Sequence, residues 1–255
     1  MKGGKYENIP SLVENLVEHA SVTISWWTGL GADLSDVGLM GGSSVKRTHR
    51  PKGGSAIGPH LMKVLNGAIL VNHESKRFCN EMDTRDVVSA AILKQTKGEA
   101  FLIFDQSVRK SLASIETYAN QHLLKEGATV AELAKAIGIP AADLEATLNR
   151  YNAQQKAGTD EDFGSSAAQM TASLETAPYY AVCVTPAIHH TMGGLSVNTD
   201  TQVLKADGTP IPGLYAAGEV TGGLHGANRL CGNGVADIVV NGRLAGIAAA
   251  QKALK

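Results

Sequence analysis

The sequence predicts a mixed α/β (α+β) fold. Amphipathic helical periodicity fills the middle of the chain, whereas short apolar runs of strand type and glycine-dense turns lie toward its two ends. Composition agrees with a folded chain, at 44% apolar and 18% charged residues. A length of 255 residues suffices for one large core or two modest ones without disulfides or metals.

The first helix is expected after Pro10. Ser11 and Glu14 have capping-box spacing, and Leu12, Leu16, Ala20, Ile24 and Trp27 recur about every fourth residue up to Gly29 or Gly31. Residues 37–58 then form a glycine-rich stretch carrying Lys46, Arg47, Arg50 and Lys52, which suits backbone wrapped closely around something or an ordinary loop. GAILVN at 67–72 reads as a strand before a turn at HESKR. A helix follows from near Arg85, over 86–94. AFLIF at 100–104 reads as a strand with another helix behind it, and two further helices begin at Thr129 and Pro140.

Thr129 and Glu132 repeat the capping-box spacing, Gly138 is a stop signal, and Leu144, Leu148 and Tyr151 share one face. The polar stretch AGTDEDFGSSAAQ at 157–169 reads as an exposed loop. Beyond it come the strand YYAVCV, the turn-prone KADGTPIPG, the strand LYAAG, and a last helix over 233–252 built mostly from small residues.

Several function classes have no support. The formal net charge is −1 with Lys and Arg scattered, so no broad field for nucleic acid exists. Cys79, Cys183 and Cys231 are odd in number and far apart, which fits neither a disulfide framework nor a metal site. C-x-x-C-H is absent, which excludes a covalently attached c-type haem within the chain. MKGGKYENIP lacks the apolar core of a signal peptide, and no run is apolar for long enough to span a membrane, so the expectation is a soluble protein.

Site-like texture concentrates in HHTMGG at 189–194 and GEVTGGLHGANRLCGNG at 218–234. Adjacent histidines before a glycine pair, and an arginine in a glycine-dense turn opening a helix, place donors where backbone can approach a planar, anionic ligand. Taken singly, each of these residues is as readily structural.

Together with RFCNEMDTRD at 77–86, these motifs resemble the flavoprotein fumarate and urocanate reductases, in particular the soluble flavocytochrome c type. PSLVEN, LGADLSDVGLMGG and HRPKGG extend the resemblance to the first part of the chain. The resemblance implies an incomplete FAD-binding domain, with residues 1–72 and 177–255 as its two parts and 73–176 as a helical cap or clamp. It implies FAD as cofactor and a small unsaturated carboxylate as substrate, of the fumarate or urocanate type.

By the same resemblance His189 and Arg229 grip the carboxylate with Gly232, and His190, Glu219, Gly234 and Val235 contact the flavin. Arg85 matches the family's proton donor, an unusual acid because a guanidinium ordinarily keeps its proton. The chain departs from the family twice. The strand–G-x-G-x-x-G–helix unit that holds the pyrophosphate has no counterpart, and a long internal segment is missing at Leu65 and Asn66.

That segment ordinarily carries the acid and second arginine of the proton relay. The alternatives to a reductase are therefore a non-catalytic fragment, natural or engineered, acting as a binding or structural module, and part of a longer protein. Strand edges exposed by the missing parts favour a homo-oligomer or a completing chain. The compartment stays open: cytoplasmic if the chain is complete, periplasmic as relatives of this type can be.

Overall fold

The computed structural model of the chain describes residues 8–30, 49–51, 67–113, 115–186, 191–229 and 233–255. In order, its elements are α1 (Pro10–Gly29), β1 (His49–Pro51), β2 (Ile69–Val71), α2 (Arg85–Leu93), β3 (Ala100–Asp105), α3 (Gln106–Ser111) and α4 (Ile115–Asn120). Then come β4 (Lys125–Gly127), α5 (Val130–Ile137), α6 (Ala141–Ala157), β5 (Tyr179–Pro186), β6 (Gln202–Leu204), β7 (Pro210–Tyr215) and α7 (Asn233–Ala253). The chain divides into two compact units: Met1–Ser44 with His189–Lys255, and Val45–Ile188.

The second unit is built on a five-stranded antiparallel sheet of order β1-β5-β3-β2. Its centre is β5, which pairs with β3 along one edge, from Tyr179 opposite Asp105 to Val184 opposite Ala100. Its other edge is shared by β4 at Tyr179 to Ala181 and β1 at Val184 to Pro186. All six residues of β3 are buried, so the strand reads as a continuous apolar run without alternation.

Local signals set the helix ends. Asp105 closes β3 and caps α3, accepting hydrogen bonds from the Ser107 and Val108 amides at 3.0 and 3.1 Å; its other oxygen accepts the Glu175 and Thr176 amides at 3.1 and 2.8 Å. Thr129 Oγ1 accepts the Glu132 amide at 3.1 Å, and Glu132 reaches back to the Ala128 amide at 2.9 Å, one residue earlier than a reciprocal capping box requires. Gly138 ends α5 in the left-handed region at φ 73°, and α6 buries Leu144, Leu148 and Tyr151 as its periodicity predicts.

In the first unit α1 packs against α7, and β6 and β7 form a hairpin. Here α1 starts at Pro10 rather than being capped by Ser11: the Ile9 carbonyl accepts the first helical amides, and proline at the first position loses no bond it could have made. The inward stripe also differs from the expected one. Leu12 and Thr23 are buried while Ile24 is 50% exposed, because a strict four-residue step turns about 40° further at each repeat of a 3.6-residue helix.

β2 and β5, which flank the segment 73–176, are both hydrogen bonded to β3. The stretch at 157–169 is not simply exposed. Asp160 is buried and accepts the amides of Asp162, Phe163 and Ser165, and it pairs with Arg77 at 3.0 Å. Arg77 also forks onto Glu81 at 2.9 and 2.7 Å, and its guanidinium lies 5.2 and 5.0 Å from the ring centroids of Tyr151 and Phe163. Glu81 in turn accepts the Leu70 amide of β2 at 3.1 Å.

Burial opposes ionisation of Asp160, but the hydrogen bonds and charge of Arg77, with those from Ser165 and Phe163, hold its carboxyl below the ordinary value of 3.8. The stability this supplies is complete above that ordinary value and is lost as pH falls through the depressed one. Arg77→Met strands two buried carboxylates, so urea unfolding should show a loss of about 3–5 kcal/mol at neutral pH. Asp160→Asn should shrink the acid limb of the wild-type stability profile; an unchanged limb would exclude Asp160 as its source.

Candidate functional site: a glycine-lined corner at the start of the last helix

Two segments of the first unit run side by side. The Leu195 amide donates to the Val220 carbonyl at 2.8 Å, and the Gly222 amide donates to the Leu195 carbonyl at 3.0 Å. Thr191 extends the contact: its amide donates to Glu219 Oε1 at 3.0 Å and its hydroxyl to the Glu219 carbonyl at 3.2 Å. Glycine is required for this approach. A Cβ at Gly194 would overlap the Val220 carbonyl oxygen, and one at Gly222 would stand 2.8 Å from the Gly194 amide nitrogen, whereas Gly193 faces open space.

The turn that follows carries positive φ at Gly223 and Gly226, 91° and 62°. From the α1 side the Ile9 amide donates to the Gly223 carbonyl at 2.8 Å and Asn8 Nδ2 to the Leu224 carbonyl at 2.6 Å. From the α7 side the buried His225 places Nε2 3.0 Å from Oδ2 of the buried Asp237, whose Oδ1 accepts Asn241 Nδ2 at 2.7 Å. Buried Asn228 caps the next residue by accepting the Arg229 amide at 2.9 Å.

This frame delivers the Arg229 guanidinium to the N-terminal turn of α7. A Cβ at the buried Gly234 would sit 2.9 Å from both Cζ and Nη2 of Arg229, so any larger residue would push the guanidinium from this position. The first amides of a helix have no intrahelical carbonyl to meet and carry its positive dipole end. A guanidinium brought to the same place adds a forked donor, of the kind that meets a planar, two-oxygen anion.

Of the residues singled out from the sequence, Arg229, Glu219, Gly234 and Val235 therefore gather in the first unit. His189, His190 and Gly232 lie outside the described residues. Arg85 is the first residue of α2 in the second unit, its side chain also outside the description. The sequence reading passed over His225, Asp237, Asn228 and Asn241. The signal available was Asp237 and Asn241 one helical turn apart, behind a histidine in the preceding glycine turn. Among the described residues no group of His, Cys, Asp or Glu is placed to hold a metal, and no helix is long and apolar enough to cross a membrane.

The chain matches the FAD binding domain family over residues 45–235. It is 34% identical to a fumarate reductase (cytochrome) of Shewanella frigidimarina over 376 aligned residues, which take in 100% of this chain and 66% of that protein. To the urocanate reductase of Eggerthella lenta it is 42% identical over 199 residues, 75% of this chain and 32% of that one. The open conformation of a flavocytochrome c3 fumarate reductase superposes with a TM-score of 0.68 at 44% identity, over 82% of this chain and 36% of the other.

The chain thus spans just under two thirds of the fumarate reductase it matches. Because 376 aligned positions face only 255 residues, at least 376 − 255 = 121 of them hold no residue of this chain. Gly194→Ala should destabilise the protein by about 1–3 kcal/mol in chemical unfolding, because a methyl group there pushes residues 194 and 220 apart. Gly193→Ala should stay within about 0.5 kcal/mol of wild type. Equal effects would show that the close approach is not a constraint.

Proposed function

The chain belongs to the FAD binding domain family, among the flavoprotein fumarate and urocanate reductases, and from that premise we propose that it reduces the C=C bond of an α,β-unsaturated carboxylate of the fumarate or urocanate type. FAD is the cofactor that membership implies. The observation that carries the reading is the Arg229 guanidinium set against buried Gly234 at the start of α7.

The donors present fit the flavin's ring end. Gly234 and Val235 offer helix-start amides where negative charge on a reduced ring is favoured, and Glu219 and His190 would face the ring or its hydroxylated chain. When bound, FAD supplies the hydride. Arg229 forks onto the substrate carboxylate, His189 donates beside it, and the Gly232 backbone completes the grip. With the carboxylate neutralised, the conjugated alkene is polarised toward hydride acceptance at one carbon. Arg85 gives its proton to the other, and residues 73–176 take the role of the family's cap, whose task is to exclude water.

One observation favours a second reading, a fragment that binds without turnover: many aligned positions of the fumarate reductase hold no residue of this chain, and the resemblance places the family's proton relay in a segment missing at Leu65 and Asn66. A homo-oligomer or a completing chain would supply what the gap omits, and light scattering decides whether either forms.

Purified protein should be yellow, or become so with added FAD, and should oxidise a reduced viologen dye with fumarate or urocanate. No flavin uptake would sink the reductase reading. Flavin uptake without turnover of either acid would support the fragment reading. In an active protein, Arg229→Ala should raise KM roughly tenfold or more with flavin retained, from the lost charge-assisted pair. Arg85→Ala should abolish turnover with flavin retained; turnover at the wild-type rate would remove Arg85 as the proton donor.

A further inference from the structure

The reductase reading assigns no task to the buried imidazole and carboxylate of His225 and Asp237. We propose that they are positioning residues for Arg229, fixing the turn that carries it against the helix that receives it; the inference rests on the carboxylate role proposed for Arg229.

The turn at 222–229 has glycines at positive φ, and among the described residues its backbone pairing lies at its start. Its tie to α1 runs through Gly223 and Leu224. A side-chain tie to α7 runs from His225 to Asp237, 3.0 Å long and almost dry, with side-chain exposures of 6% and 1%. Asp237 stands one turn beyond Gly234 on α7, and Asn241, a further turn along, holds its second oxygen. His225 stands four residues before Arg229. The pair therefore links the turn to α7, the same two pieces of backbone that meet where Arg229 lies against Gly234. Desolvated polar pairs fix geometry strongly because neither partner can be exchanged for water without cost. An error of about 1 Å in a guanidinium's placement is enough to cost up to a hundredfold in binding or rate.

The test is equilibrium binding of a saturated product, succinate or imidazolepropionate, by calorimetry on the flavin-loaded protein, with melting temperature and flavin content measured alongside. His225→Leu removes the donor at similar volume, and His225→Gln keeps an N–H that can reach Asp237. Expected are a roughly tenfold or larger rise in Kd and KM for His225→Leu, with kcat within about twofold and flavin retained, and substantial recovery in His225→Gln. Asp237→Asn gives an independent reading should His225→Leu fold poorly, with a rise in Kd of the same kind expected. Wild-type affinity in folded His225→Leu beside lost affinity in Arg229→Ala overturns the positioning role alone. So does an affinity loss that tracks melting temperature and is not recovered by His225→Gln. Arg229→Ala binding as wild type, or no binding by the wild type, overturns the carboxylate reading and this inference with it.

Discussion

A guanidinium taken out of water must have its donors met and its charge balanced, and Arg77 meets that demand with partners from distant parts of the chain. Its side chain is 5% exposed, and the carboxylates of Glu81 and Asp160 that face it are 3% and 0% exposed. Glu81 is held to β2 through the Leu70 amide, and Asp160 gathers the amides of its own loop. Ser165 donates to Asn80 at 3.0 Å and closes the circuit. The segment leading into α2, the edge strand of the sheet and the loop after α6 are thereby one object. Tyr151 and Phe163 add their ring faces to the same cation. Desolvation alone would lower the pKa of Arg77; the two carboxylates outweigh it and raise it, so the charge persists at every working pH.

The same rule shapes the first unit on a smaller scale. Buried His225 and Asp237 continue to half-buried Asn241 as a short polar chain, and the Asn228 side-chain carbonyl accepts the Arg229 amide. Here the polar groups are not building a core. They hold a glycine turn that has too few side chains to pack, so hydrogen bonds do what apolar contact does in the sheet. Glycine supplies the complement: close approach at Gly194 and Gly234 is what lets the backbone and Arg229 occupy so narrow a corner.

What the sequence made legible was local. The β2, β3 and β5 strands follow from apolar runs, and α2, α5, α6 and α7 from period and caps, since neighbours within a turn decide those features. Asp160 escaped because its partner Arg77 is 83 residues away, so a stretch rich in Asp, Gly and Ser reads as solvated. The pairing of β5 with β3 was hidden for a similar reason, since register is invisible in either strand alone. At the site, Arg229 and Gly234 were legible only as members of long motifs. His225 was not, because a single histidine in a turn carries no sign of the aspartate a helix will bring to it.

The two units bear differently on the proposed chemistry. The corner holding Arg229 is fastened by α1, by the 191–195 segment and by α7, all within the first unit. The interruption seen in the sequence at Leu65 and Asn66 falls within the second, two residues before Gly67 and close to β2, which among the described residues is an edge of the sheet. Arg85, the group that would supply the proton, also belongs to the second unit. On the proposed chemistry, an interruption at that point would bear first on proton supply and least on the carboxylate corner.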